Sequence, residues 1–219
     1  MIIAVCGFQG SGKDTIGSYL IRNHGFTKLS FAGILKDIVA VLFGWERDLL
    51  EGATIESRQW RETVDPWWSN KLDMPKLTPR YVLQFFGTDL FRKYFHPDIW
   101  VICVEKQLSK YKNCVITDCR FPNEIAMLKS NGAKLFMVTK GQLPEWFDSY
   151  KSGVIDEPIG VHPSEYLWIR NTFDYEIKNE TTIENLETKI ESIIKEMSEK
   201  SNRKYLKYKN KYLQLKNIL

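Results

Sequence analysis

The chain has no apolar run long enough to cross a membrane. Its greasiest segment, Ile34 to Trp45, is broken by Lys36 and Asp37, whereas a span needs roughly 20 apolar residues. No secretory leader is expected either, because Ile2 to Cys6 is five apolar residues that run straight into a glycine loop. The four cysteines, Cys6, Cys103, Cys114 and Cys119, show neither C-x-x-C spacing nor a Cys/His cluster. That argues against a thiolate metal site and fits free, buried thiols in a reducing, cytoplasmic compartment. Internal repeats are lacking. So is a basic body: 31 Lys and Arg against 27 Asp and Glu give +4, but residues 195–219 hold eight basic and two acidic groups, which leaves residues 1–194 with 23 and 25. A slightly acidic body argues against a nucleic-acid-binding surface.

What is present bounds the fold. At 219 residues with 43% hydrophobic content, one domain with insertions fits better than two, and disorder is excluded for most of the chain. Ile2 to Cys6 is a continuous apolar run that suits a strand buried on both faces of a parallel sheet. Lys13 to Asn23 reads as a helix stopped by Gly25, Thr27 to Ser30 as a brief strand, and Phe31 to Phe43 as a helix ending at Gly44. Residues 45–78, with four tryptophans among charged residues, read as an irregular or partly helical excursion. Thr78-Pro79 opens a helix through Leu90, followed by a second helix over Asp98 to Ser109.

Asn113 to Asp118 is the next buried strand, Pro122 to Ser130 a helix ended by Asn131-Gly132, and Leu135 to Val138 a strand that completes a parallel strand-helix-strand unit. After a polar region over 140–165 come a last strand, Phe173 to Ile177, and a helix from Thr182 to Met197. The predicted architecture is α/β: three layers, α/β/α, around a mostly parallel sheet.

The strongest chemical signal is Gly7-Phe8-Gln9-Gly10-Ser11-Gly12-Lys13-Asp14-Thr15, between a predicted strand and a predicted helix. Its spacing fits G-x-x-x-x-G-K, in which backbone N–H groups converge on phosphate oxygens and the lysine reaches the β and γ phosphates. Asp14 stands where Ser or Thr usually gives Mg²⁺ a hydroxyl, and Thr15 follows it, so the metal's protein ligand is open between them. Asp118, at the end of a buried strand, is placed for a carboxylate near the metal. Arg120, two residues on, points near the same mouth of the sheet. Arguments for the second phosphate ester begin at Arg80 and Gln84, which share one helix face: the first suits phosphate oxygens and the second a base edge. Arg58 and Arg61 suit an acceptor phosphate and a surface lattice of ion pairs equally well.

The blocks GFQGSGKDT (7–15), LSFAGILKD (29–37), LEGATIESRQWRE (50–62), LTPRYVLQFFGTDLFRKYFHPDIW (77–100), VITDCRFPNEI (115–125) and VHPSEY (161–166) resemble the viral and phage deoxynucleoside monophosphate kinases of the P-loop class. The resemblance runs in order over roughly residues 1–194, and the Lys-Asp-Thr ending of the loop is a form that family uses. It implies a P-loop NTPase fold of the nucleoside monophosphate kinase type, related to adenylate kinase, and transfer of the ATP γ-phosphoryl group to a deoxynucleoside 5′-monophosphate (dNMP), with Mg²⁺ accompanying ATP.

Carried onto this chain, the family pattern puts Gly10, Ser11, Gly12, Lys13, Asp14 and Thr15 on ATP, and Lys36, Arg80, Gln84 and Asp89 on the acceptor. Asp118 and Arg120 fall between the nucleotides, and Lys13, Asp118 and Arg120 carry the chemistry. His162 and Glu165 match a short H-x-S-E pattern in a closing segment over 140–165. Residues 1–198 form one kinase domain in this reading.

The basic, Tyr-rich stretch 199–219 lies outside the resemblance. Tyr205, Tyr208, Tyr212, Leu215 and Leu219 recur at 3,4,3,4 spacing, as in an amphipathic helix suited to pairing two copies of the chain. Two alternatives remain open at this point: a P-loop kinase for another small phosphate ester, and a nucleotide-binding module whose tail contacts nucleic acid. The tryptophans at 45, 60, 67 and 68 admit packing or base stacking.

Overall fold

The computed structural model describes residues 1–216; in the last helix the side chains of 201, 204, 207 and 210–216 lie outside the description. Its centre is β1 (Ile2–Cys6), whose Ile3, Ala4, Val5 and Cys6 are fully buried. Around it a five-stranded sheet forms in the order β2 (Thr27–Leu29), β3 (Cys114–Ile116), β1, β4 (Lys134–Thr139), β5 (Tyr175–Lys178). Every pairing is parallel, with Ile3 opposite Val115 on one side and Ala4 opposite Leu135 on the other. The apolar runs read from sequence thus sit where both faces are covered by helices.

One face carries α1 (Lys13–His24) and α11 (Ile183–Lys216), whose Ile16, Leu20, Leu186 and Ile190 pack on Val5, Val115 and Phe136. The other carries α7 (Ile99–Leu108) and α8 (Pro122–Ser130), with Val104, Ile125 and Leu128 against Ala4, Ile116 and Leu135. All five strands point their C-terminal ends to one edge, which is where ligands bind in open parallel sheets.

The excursion is helical. After α2 (Gly33–Phe43) come α3 (Arg47–Glu51), α4 (Ile55–Glu62) and α5 (Pro66–Lys71), started by side-chain caps from Thr54 and Asp65. A separate apolar cluster holds them: Leu50, Leu77, Val82 and Trp100 at its centre, and Trp45, Trp60 and Trp68 around it. Trp45 stacks on Phe43 at 4.5 Å and meets Trp60 edge-on at 5.9 Å, and the Trp68 indole donates to the Phe43 carbonyl at 3.0 Å. These three rings are packing elements, while Trp67 is exposed.

Two helices differ from the expectation. The helix opened by Thr78 runs as α6 (Pro79–Gln84) and then widens into a π-helical stretch over Phe85–Phe95. The buried Trp100 indole takes the Gly87 carbonyl at 2.9 Å, and the N–H of His96 reaches the Phe91 carbonyl five residues back. An acceptor claimed from outside and i to i+5 bonding are the marks of π winding. The last helix does not end at Met197. It continues to Lys216, because 183–216 contains neither glycine nor proline and the pairs Glu196–Lys200 and Glu199–Arg203 support it at i,i+4 spacing. Tyr205 and Tyr208 are exposed; the side chains of Tyr212 and Leu215, and all of Leu219, lie outside the described residues. Two short helices, α9 (Phe147–Lys151) and α10 (Pro163–Tyr166), fall in the segment assigned to closure. Among the described residues no helix is long and apolar enough to cross a membrane.

Candidate active site

The glycine loop leaves β1 at the C-terminal edge of the sheet and feeds α1. No side chain caps that helix, so its first-turn N–H groups stay available for an anion. Gly12 has φ +104°, and a Cβ there would stand 2.6 Å from Asn179 Nδ2. Asn179, just past β5, donates to the Ser11 carbonyl at 2.9 Å and so holds the loop from behind. The Ser11 side chain is buried and its N–H bonds the Phe8 carbonyl at 3.2 Å; this residue supports the loop's shape, and its side chain stays away from the cleft.

Lys13 is only 8% exposed, because the loop curls over it and its Nζ donates to the Phe8 carbonyl at 2.7 Å. Burial, and then the nearby Arg120, push its ammonium below the usual lysine range, while Asp14 and Glu165 pull the other way.

In front of the loop opens a cleft of about 880 Å³, lined by Gly10, Gly12, Lys13, Asp14, Thr15, Lys36, Arg58, Arg61, Arg80, Asp118, Arg120 and Glu165 among others. A second chamber of about 620 Å³ lies against α2, α6 and the π-helical stretch, with Leu35, Leu83, Gln84, Trp100 and His162 in its wall. Lys36, Arg61, Arg80, Asp118 and Arg120 line both, so the chambers meet along a band of cations. Asp89 lines neither; it is exposed on the π-helical stretch.

The cleft is cationic by local surplus. Four of its cations have partners: Lys28 with Asp14 at 3.9 Å, Lys36 with Glu51 at 2.6 Å, Arg80 with Glu62 at 3.2 Å, and Arg120 with Glu165 at 2.6 Å. Lys13, Arg58 and Arg61 form no ion pair among the described residues. Arg61 has a buried Nε without an acceptor, and burial followed by repulsion from Arg80 pushes its guanidinium below the usual range. Its head lies on the backbone of Gly52, where φ is +63° and a Cβ would meet Arg61 Cζ at 2.2 Å. Such a group awaits an anion.

Asp118 is tied into the scaffold. Ser30 Oγ and the Ala32 N–H donate to its Oδ2 at 2.7 and 3.1 Å, and the Phe31 N–H to its Oδ1 at 3.2 Å, which joins the end of β3 to the start of α2. Arg120 Nη1 also reaches the Ser164 carbonyl at 3.3 Å, so α10 leans on the cleft through this one guanidinium. His162 caps α10, and its Nδ1 accepts from the Ser164 N–H at 3.3 Å. Sequence reading missed Lys28, Glu51, Arg92 and Glu124 as lining residues. Glu124 carried a signal, a carboxylate three residues past a helix start.

The geometry can be set beside known proteins. Residues 51–190 match the family described as deoxynucleotide monophosphate kinase. The chain is 30% identical over 213 residues to a protein of Acanthamoeba polyphaga mimivirus provisionally named a deoxynucleotide monophosphate kinase, covering 91% of this chain and 98% of that one. It is 25% identical over 179 residues to the deoxynucleoside-5′-monophosphate kinase of Escherichia phage T5, covering 59% and 72%. Among solved structures, shikimate kinase from Aquifex aeolicus VF5 superposes with a TM-score of 0.46 at 18% identity, over 90% of this chain and 98% of that one. With its family match over more than half its length and a viral relative aligned nearly end to end, this chain belongs to the deoxynucleotide monophosphate kinase family.

Proposed function

We propose that the protein transfers the γ-phosphoryl group of ATP to a deoxynucleoside 5′-monophosphate, giving the diphosphate for DNA precursor synthesis in the cytoplasm. The observation that carries this reading is the pair of chambers meeting at Lys36, Arg61, Arg80, Asp118 and Arg120. A kinase with two nucleotide substrates needs two pockets whose phosphate ends converge on one cationic band, because positioning and charge neutralisation dominate phosphoryl transfer.

In this reading the N–H groups from Gly10 to Thr15 hold the ATP phosphates, and Lys13 exchanges the Phe8 carbonyl for a phosphate oxygen. Arg58, Arg61 and Arg80 receive the acceptor phosphate, Lys36 is held toward them by Glu51, and the inner chamber with Gln84 takes the base. Arg120 leaves Glu165 to neutralise the transferring group. Release of α10 from that ion pair, followed by its return over bound nucleotides, excludes water and suppresses ATP hydrolysis.

The oxygen donors at the loop suit a hard cation. Asp14 is exposed and takes a single side-chain donor, Thr117 Oγ1 at 2.8 Å, and Thr15 lines the cleft. These two would hold Mg²⁺ brought with ATP, with Asp118 behind them as the tie to α2; when bound, the ion would supply charge neutralisation to the phosphate groups.

Coupled ADP release measured across dGMP, dTMP, dCMP, dAMP and their ribo forms tests the assignment. Turnover with at least one dNMP is expected. None with any dNMP, together with turnover of another phosphate ester, overturns it.

A further inference from the structure

Glu124 stands on α8 and has surroundings unlike those of an ordinary helix-starting glutamate. Its side chain is 3% exposed. Its Oε2 accepts two backbone N–H groups, from Arg120 at 2.7 Å and Phe121 at 3.1 Å. Its Oε1 faces Arg92 Nη2 at 3.4 Å, and the Arg92 guanidinium lies over the Phe121 ring, 5.1 Å from its centroid. Arg92 comes from the π-helical stretch, and both residues line the inner chamber.

Capping alone does not call for this. A glutamate at the third helical position needs to reach only one N–H at the helix start, and can do so from solvent. Burying a carboxylate costs more than such a cap returns. Here one of the two N–H groups, that of Arg120, lies before the helix, and the second oxygen turns to a cation 32 residues away. The carboxylate therefore joins the backbone that bears Arg120 to a guanidinium in the chamber wall.

We propose that Glu124 is a positioning residue for phosphoryl transfer, fixing the Arg120 backbone with one oxygen and orienting Arg92 toward the acceptor nucleotide with the other. This rests on the kinase reading above and assigns Arg92 to acceptor binding. A guanidinium has five N–H donors; among the described residues Glu124 takes one of those of Arg92, which leaves the others for oxygen or nitrogen acceptors of a nucleotide in that chamber.

Titration supports the same picture. The charged and titratable groups around Glu124 are Arg92 from the π-helical stretch and Asp118, Cys119 and Arg120 from the loop after β3. Burial pushes Glu124 up to about 7, Asp118 adds to the rise, and the two N–H donors and Arg92 oppose it. Protonation puts an O–H donor on one oxygen and removes the charge that faces Arg92, so acceptor binding weakens as pH falls through this range.

Kinetics of the full chain with an accepted dNMP test the proposal through E124Q, R92Q and the double variant. Glutamine keeps an acceptor for the two N–H groups and loses the charge. E124Q is expected to raise the acceptor KM about tenfold with kcat and the ATP KM nearly unchanged, the loss expected for one charge-assisted hydrogen bond. It should also lose the pH inflection near 7 that wild type shows beyond titration of the substrate phosphate. The double variant should be no worse than R92Q, because the pair acts as a unit. An unchanged acceptor KM in E124Q, or effects that multiply in the double variant, would overturn the proposal.

Wild-type protein that turns over no dNMP would instead sink the kinase reading, and amide hydrogen exchange then decides. Exchange at Arg120 and Phe121 about tenfold faster in E124D, whose shorter side chain cannot span the same groups, supports the positioning contact; equal exchange overturns it.

Discussion

In the proposed assignment the donor end of the cleft is built from nine consecutive residues, Gly7 to Thr15, and acts largely through their backbone. The proposed acceptor end is built from side chains on three separate helices, α2, α4 and α6, held together by an apolar cluster of their own. The first depends on main-chain conformation and on glycines that nothing else can replace. The second depends on charge, on ion pairs and on the packing of short helices. Mutations should therefore break the two ends in different currencies: donor-side changes through geometry, acceptor-side changes through electrostatics.

The largest expected effect is at the one donor side chain that the backbone cannot replace. K13A should lower kcat at least about a hundredfold, as loss of a group that stabilises transition-state charge does. Its thermal unfolding should stay close to wild type, since among the described residues Nζ makes a single hydrogen bond, to the Phe8 carbonyl. Near-normal kcat would move the donor site elsewhere.

This end was also the part most legible in the sequence. β1, the loop, α8 and the positions of the strands along the chain follow from apolar runs bounded by glycine, proline and Asn-Gly, all of them local signals; the order of the strands within the sheet does not. The π-helical winding was not legible, because it depends on the Trp100 indole taking a carbonyl 13 residues away. Lys13 burial depends on the curl of the loop, and the role of Arg92 on Glu124; both are products of tertiary packing. Of the site residues read from sequence, the cations converge on the cleft while Asp89, on the π-helical stretch, falls outside it.

Two carboxylates near the acceptor should give opposite pH responses. The folded protein raises Glu124 to about 7; such a group favours the fold below its unfolded value near 4.5, and that contribution is lost as pH rises through about 7. Wild type should therefore lose stability relative to E124Q between pH 4.5 and 7, by on the order of 3 kcal/mol. Lys36 and Arg47 draw Glu51 down to about 2 against the pull of burial. Its contribution is present above pH 4.5 and is lost as pH falls toward 2, so wild type should lose its advantage over E51Q in acid. Urea unfolding from pH 3 to 8 checks both slopes, and parallel slopes would refute the contrast.

Smaller and more selective effects sharpen it. G12A places a methyl against Asn179 at a φ of +104° and should raise the ATP KM about tenfold, the cost of one strained residue, while the acceptor KM holds. R61A should do the reverse. G52A should mimic R61A, because the added Cβ evicts the Arg61 guanidinium from its seat. Steady-state kinetics with each substrate varied in turn separates these outcomes. The smallest effect is expected at Trp67: W67A should change stability by less than about 0.5 kcal/mol, as exposed substitutions do. W45A, from the stacked trio, should cost about 3 kcal/mol.

The hydrogen bond from Asn179 to the Ser11 carbonyl spans 168 positions of chain. During synthesis at about 5–20 residues per second, some 10–30 s separate the appearance of the loop from that of the residue that braces it. For that interval the loop lacks the amide behind Ser11 and β4 lacks its β5 neighbour. In the proposed function, the phosphate-binding loop is therefore braced from behind only once residue 179 has joined the fold.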